Sequence, residues 1–346
     1  MRIKYCTVIY VQTFMHRLFR FIMADKASYV YNEARRIYPD LAKHVRRTPL
    51  EASSFLGENV YLKLESEQIT GSFKLRGACN KIFKIINDDP KAKEKGFTTA
   101  SSGNHAKGCC MALKKIGAKG IIYVASTALK SKVDALKSYG VEVRLHGDDC
   151  MEAEVQARTD AQKLGMIYIS PYNDIDVICG QATIGLEIYD TLPEVDAVFV
   201  PVGGGGLIAG IAAYLKQAKP SIKIIGCQPA ASCVMSESIK AGKIIDIPSY
   251  DTLSDATAGG IEEGAVTFDF CRSLVDEWVM VSEKEISDAV YLILEKHHKL
   301  IEGAAGVSVA SFLKTAQAYE GKNVVIISCG ANIGMDQLKK IINDHT

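Results

Sequence analysis

Lys74 lies in the stretch ITGSFKLRGA, residues 69–78, between a hydroxyl-bearing turn and an Arg-Gly pair, with apolar residues on both sides. A surface lysine has no use for such a setting. A lysine that bonds to a carbonyl compound does, because its amine must shed a proton to act as nucleophile or base, and apolar surroundings favour the neutral form. Gly203, Gly204, Gly205 and Gly206, in FVPVGGGGLIAG, follow an apolar run and precede a helical pattern starting near Leu207. Backbone N–H groups in such a loop can converge on a small anion, and a helix N-terminus adds favourable partial charge, so a phosphate suits it. A tight strand-to-helix turn would use glycine too, but four in a row give more freedom than packing needs. Neither the glycine spacing of a dinucleotide site nor the Gly-Lys-Ser/Thr of a Walker loop is evident.

Two further stretches carry polar groups at strand-to-helix junctions. In TTASSGNHAKG, residues 98–108, Ser101, Ser102, Gly103, Asn104 and His105 offer hydroxyls, an amide and backbone N–H groups to a carboxylate. The same residues could merely cap a helix, and His105 reads as readily as a hydrogen-bonded structural histidine as a catalyst. In VVIISCGANIG, residues 324–334, Ser328 and Cys329 end a buried-looking run. A thiol can touch a heteroaromatic nitrogen without imposing charge on it, and can equally be a small core residue.

The elements that would position these residues alternate along the chain. NVYLKLE, GFTTAS, GIIYVAS, VEVRLHG, MIYISP, DAVFVPVGG, IKIIGCQ, EWVMVSE and NVVIISCG read as strands, with helices predicted over 104–117, 130–139, 151–164, 207–218 and 284–299. In the last, Ile286, Ala289, Val290, Ile293, Leu294 and His297 share one face at helical spacing. Such alternation predicts an α/β fold with mostly parallel, open twisted sheets. Residues 96–173 hold strand-helix units of their own, so a small domain inserted between 23–95 and 174–346 is expected, with a cleft between two sheets where loops at the strand ends gather.

With 346 residues and 48% hydrophobic content, two domains are the natural expectation. A formal net charge of +1 provides no global field for nucleic acid or an anionic membrane. No apolar run reaches the length of a membrane span. Ten cysteines without paired metal-ligand spacing, most in apolar contexts such as VICGQ, read as reduced core thiols of a cytoplasmic protein. Residues 1–22 contain Arg2, Lys4, Arg17 and Arg20 but no acid, as an organelle transit peptide does; alternatively Met23 is the true start and the leader is mis-called.

Together, TGSFKLRGA, SSGNH, the tetraglycine and the terminal SCGAN resemble, in order and spacing, the fold-type-II pyridoxal-phosphate enzymes from about residue 30 onward. Within that family, which shares the tryptophan synthase β-like architecture, the motifs look most similar to the threonine/serine dehydratase and serine racemase branch. The resemblance implies pyridoxal 5'-phosphate in the interdomain cleft. It makes Lys74 the residue bound to the cofactor and the base that removes the substrate's α-proton. Phe73 would support the cofactor face, Asn104 reach its 3-oxygen, Gly203 to Gly206 hold its phosphate, and Cys329 face its ring nitrogen. Ser101, Ser102, Gly103 and Asn104 would grip the substrate carboxylate.

The implied reaction is loss of water from a small β-hydroxy amino acid, L-threonine or L-serine, giving a 2-oxo acid and ammonia. Ser102 also fits the second base of a serine or aspartate racemase, so racemisation is the alternative, and a non-catalytic amino-acid sensor is a third reading. A homodimer or higher homo-oligomer is implied as well. The chain departs from the family at several places. Gln228 and small residues stand where racemases carry acidic metal ligands, so no metal is expected there. Tyr172 replaces an Asn or Phe, Ala258-Gly259 an Asp-Gly, and Glu302-Gly303 a Glu-Pro.

Overall fold

A computed structural model describes residues 2–345, with side chains from residue 21 onward. The expected leader, residues 1–22, falls largely outside the described side chains. The described strands are β1 (Leu50–Ala52), β2 (Val60–Leu64), β3 (Phe97–Ala100), β4 (Gly120–Val124), β5 (Glu142–Leu145), β6 (Ile167–Tyr168), β7 (Ala197–Pro201), β8 (Lys223–Pro229), β9 (Glu277–Val281) and β10 (Val324–Ser328). They form two sheets, a six-stranded one in the order β1-β2-β10-β7-β8-β9 and a four-stranded one in the order β5-β4-β3-β6. Every pairing is parallel except β1 with β2.

Sequence composition explains the order. β7 (AVFVP) and β10 (VVIIS) are buried at every residue and occupy the centre of the larger sheet, as continuous apolar runs covered on both faces must. β5 (EVRL) has no buried residue and lies at a sheet edge, where charge discourages pairing with another chain. The predicted strand MIYISP is shorter than its apolar run, because only Ile167 and Tyr168 pair with β3 before the chain turns toward the cleft. β1 was not anticipated; LEA carries no strand pattern and pairs through its backbone alone.

The helices are α1 (Arg2–Leu41), α2 (Lys74–Asp88), α3 (Ala92–Lys95), α4 (Asn104–Ile116), α5 (Lys130–Lys137), α6 (Cys150–Leu164), α7 (Ile175–Thr191), α8 (Gly206–Ala218), α9 (Val234–Ala241), α10 (Val266–Leu274), α11 (Glu283–His297), α12 (Gly303–Thr315) and α13 (Met335–His345). Several starts are written locally. Asp149 and Asp174 accept backbone N–H groups at the starts of α6 and α7, and Ser282 with Glu285 forms a capping box on α11. On α11 the predicted face is inward at Ile286, Ala289, Val290 and Ile293, with Leu294 and His297 at its rim. All nine cysteines among the described side chains are free, and seven are buried.

Candidate active site

Five strand ends converge. Lys74 opens α2 after the turn that follows β2, Gly203 to Gly206 lead from β7 into α8, and Cys329 directly follows β10. From the smaller sheet come Asn104, just after β3, and Tyr172, just after β6. Phe73, Lys74, Asn104, Tyr172, Gly203 to Gly206, Thr257, Glu302 and Cys329 are among the residues that line one cavity. It sits at the carboxyl ends of both parallel sheets, where ligands of open α/β folds bind.

The backbone holds Lys74 in register with Cys329. Phe73 N–H donates to the Cys329 carbonyl at 3.1 Å, Ala331 N–H to the Gly71 carbonyl at 2.9 Å, and Ser72 bridges to Gly330. The Lys74 ammonium donates to the Pro171 carbonyl at 2.8 Å and lies 5.3 Å from the Phe73 ring centre. Burial pulls its pKa down to about 8, while Cys109, Cys329 and Glu302 act in the opposite direction. The depression therefore comes from desolvation. The Cys329 thiol is pushed well above its ordinary range, first by burial and then by Glu302, and is neutral at pH 7. Burial, followed by Lys74, pulls His105 down to about 3, so it is a neutral ring against the Ile169 carbonyl at 3.2 Å.

Sequence reasoning missed the role of Glu302. Its carboxylate accepts from Asn104 Nδ2 at 2.8 and 3.1 Å and from Asn332 N–H at 2.9 Å, with Cys329 Sγ 4.0 Å away. Burial raises it to about 7 against the pull of those hydrogen bonds. Asn332 Nδ2 in turn donates to Asn104 Oδ1 at 2.6 Å, and Lys107 Nζ to Asn332 Oδ1 at 2.6 Å. In the sequence Glu302 is only an acid before a Gly-Ala-Ala-Gly run, with nothing to mark it as buried. The neighbouring Gly303 has a steric reason: Leu253's carbonyl occupies the space a Cβ would need.

Ser101, Ser102 and Gly103 are half-buried in the turn before α4 and do not line the cavity itself. Gly103, not a serine, is the cap residue, and no side chain caps the helix. Ser101 Oγ instead accepts from Gly103 N–H at 3.1 Å. Gln228 Nε2 donates to the Val202 carbonyl at 3.1 Å and its Oε1 accepts from Ser236 N–H at 2.9 Å.

The donor set fits a phosphorylated pyridine aldehyde. It provides a depressed amine, a neutral thiol, an amide and a glycine loop ahead of a helix N-terminus. Gly205, at φ +86°, adopts a left-handed conformation that suits glycine. Free space is the constraint: about 40 Å³, against roughly 300–1,000 Å³ for a typical small-molecule pocket. Tyr172 is the reason, since its ring lies directly over Gly204, where a Cβ would come within 2.5 Å of ring carbons. The Tyr172 hydroxyl accepts from Glu262 N–H at 2.9 Å. Larger clefts, of about 400 Å³ between α1 and α2 and about 500 Å³ beside α13, contain neither Lys74 nor the glycine loop.

Comparison with known proteins identifies the family. Residues 41–330 match the sequence profile of the family described as pyridoxal-phosphate dependent enzyme. The chain is similar to a protein of Thermotoga maritima named L-threonine ammonia-lyase, with 40% identity over 303 residues, 86% of this chain and 74% of that one. Among solved structures it resembles the processed form of threonine deaminase isoform 2 from Solanum lycopersicum, with TM-score 0.86 and 34% identity over 92% of this chain and 88% of that one. It also resembles maize serine racemase, with TM-score 0.83 and 31% identity over 91% and 97% of the two chains.

Proposed function

The chain belongs to the pyridoxal-phosphate dependent enzymes, and from that premise we propose that it is an ammonia-lyase acting on L-threonine or L-serine, releasing a 2-oxo acid and ammonia. The observation that carries this reading is Lys74 and Cys329 lining one cavity with the glycine loop, the amine lowered to about 8 and the thiol neutral. When bound, pyridoxal phosphate supplies the electron sink for the substrate's α-carbon.

The residues divide the work. Lys74 would hold the cofactor covalently and, when its amine is free, would take the substrate's α-proton at Nζ. An amine with pKa about 8 is neutral in about one molecule in ten at pH 7, a far larger fraction than an ordinary lysine offers. Gly203 to Gly206 would hold the phosphate and Phe73 would support the ring. Cys329 would give the ring nitrogen an uncharged partner, which suits a reaction whose leaving group departs promptly. Asn104, whose Nδ2 donates to both oxygens of Glu302, would offer its amide to the ring oxygen. Ser101, Ser102 and Gly103 receive the substrate carboxylate at the uncapped start of α4.

In this reading residues 96–173 form a small domain between 23–95 and 174–346, and the enzyme is a cytoplasmic homodimer or higher homo-oligomer. No described helix is long and apolar enough to cross a membrane. The test incubates the purified protein and cofactor with L-threonine and, separately, L-serine, and measures oxo acid, ammonia and D-enantiomer together. Equal amounts of oxo acid and ammonia support the lyase. A product that is mainly D-serine transfers the main role to Ser102 as a second base and overturns it.

A further inference from the structure

Behind Lys74, on the side away from the cavity, four charged side chains are buried together. Arg76, two residues along α2, is fully buried and uses all its N–H groups. Nε and Nη2 donate to the two oxygens of Glu65, each at 2.8 Å, and Nη1 and Nη2 to those of Glu187 at 2.8 and 2.9 Å. Nη1 also donates to Thr183 Oγ1 at 3.2 Å. Lys63 Nζ completes the set, donating to Glu187 at 2.5 Å and to the Thr48 carbonyl at 2.7 Å. Thr48 Oγ1 reaches Glu65 and the Tyr38 hydroxyl reaches Glu187. The side chains of Lys63, Glu65, Arg76 and Glu187 are at most 1% exposed.

Stability does not account for such a cluster. Replacing a buried ion network by well-packed apolar residues is often neutral or stabilising, because desolvation offsets the attraction. Its two cations and two anions balance in charge, so it brings no net charge near Lys74. What the network does provide is direction. A planar guanidinium bonded on two edges to carboxylates admits one orientation. The start of α2 has no side-chain cap and no acid in its first turn, so its orientation is left to these contacts and to the backbone bonds around residues 329–331. Neighbouring backbones close the mould: Gly108 of α4 lies where a Cβ would come within 3.1 Å of the Lys74 carbonyl, and Gly180 of α7 where one would come within 2.6 Å of Gly77 Cα.

We propose that the Arg76–Glu65–Glu187–Lys63 network is a positioning device for Lys74, locking the rotation of the first turn of α2 so that Nζ points into the cavity. Arg76 is thus a positioning residue that touches neither substrate nor cofactor. The proposal rests on the lyase reading for its kinetic test but not for its structural one.

The experiment compares Arg76→Lys, which keeps the charge and loses the fork, with Thr183→Val, which removes one contact to the guanidinium. Arg76→Lys lowers kcat by about ten- to a hundredfold, the scale on which small misplacements act, with KM within about threefold. Thr183→Val lowers kcat by about two- to threefold in the same pattern. In the cofactor-free protein, hydrogen exchange at the amides of residues 75–78 rises while β7 and β10 stay protected. Wild-type kcat and wild-type exchange in the folded variants overturn the proposal, as does a loss of activity matched by the unfolded fraction. If Arg76→Lys does not fold, Thr183→Val decides alone. If neither amino acid is turned over, the substrate reading fails, and exchange together with the rate of pyridoxal phosphate capture at Lys74 still decides this one.

Discussion

Lys74 near 8 and Glu302 near 7 are both displaced chiefly by burial, in opposite directions. For Glu302 the consequence for folding has a definite sign. A carboxyl raised from 4.5 to about 7 binds its proton more tightly folded than unfolded, so stability falls as pH rises from about 4.5 to 7 and is flat above. Glu302→Gln removes that slope: urea unfolding of the cofactor-free protein at pH 5 and pH 7 differs by about 1–3 kcal/mol less in the variant than in wild type. An unchanged difference would place the titration elsewhere. Lys74→Ala keeps the fold and lowers turnover by at least about a thousandfold, combining loss of the covalent link with loss of the base. Rates measured on protein of wild-type circular dichroism check this. At this scale the sequence singled out Lys74, the glycines and Cys329, and the fold brings them to one cavity. The sequence was silent about Glu302 and Arg76, because a charged residue in a sequence looks exposed until the groups that pair it are assembled from distant segments.

Across the cleft, α5 and α6 of the smaller sheet are tied to the loops around residues 251–266. Lys132 pairs with Asp255 at 3.2 Å, Arg158 with Glu262 at 2.8 Å, and Asn173 Nδ2 donates to Glu262 at 2.8 Å. These contacts lie beside Tyr172, whose ring packs on the glycine loop, so the ease of cofactor entry is predicted to depend on them. Each pair is partly exposed and contributes about 0.5 kcal/mol. The double variant Lys132→Gln with Arg158→Gln therefore accelerates both capture and release of pyridoxal phosphate by about two- to tenfold in stopped-flow absorbance, and high salt does the same to wild type. Unchanged rates would show that the clasp does not limit entry. Gly205→Ala strains a residue at φ +86° and presses on Met235, weakening cofactor affinity measured by equilibrium dialysis by about tenfold. The elements themselves were largely legible, because strands such as VVIIS and helices such as Glu283–His297 carry their period in the chain. What was not legible is contact between elements: the edge strand β1, the two-residue β6 and the cross-cleft pairs depend on partners remote in sequence.

The molecule as a whole is two parallel sheets whose carboxyl ends face one cavity, with the apolar strands β7 and β10 central to the larger sheet. The proposed chemistry lies in the loops at those ends, with the buried charges of Arg76, Glu65, Glu187 and Lys63 behind α2 and the cross-cleft pairs in front. The proposed chemistry passes through one bond, from Lys74 Nζ to pyridoxal phosphate. The direct measurement is to incubate the full chain with pyridoxal phosphate, reduce with borohydride, digest, and locate the added mass by peptide sequencing. The account predicts a single modified lysine, Lys74, in the peptide containing SFKLRGA, and loss of visible absorbance on reduction. Label on any other lysine, or none on Lys74 while the cofactor remains bound, would contradict it.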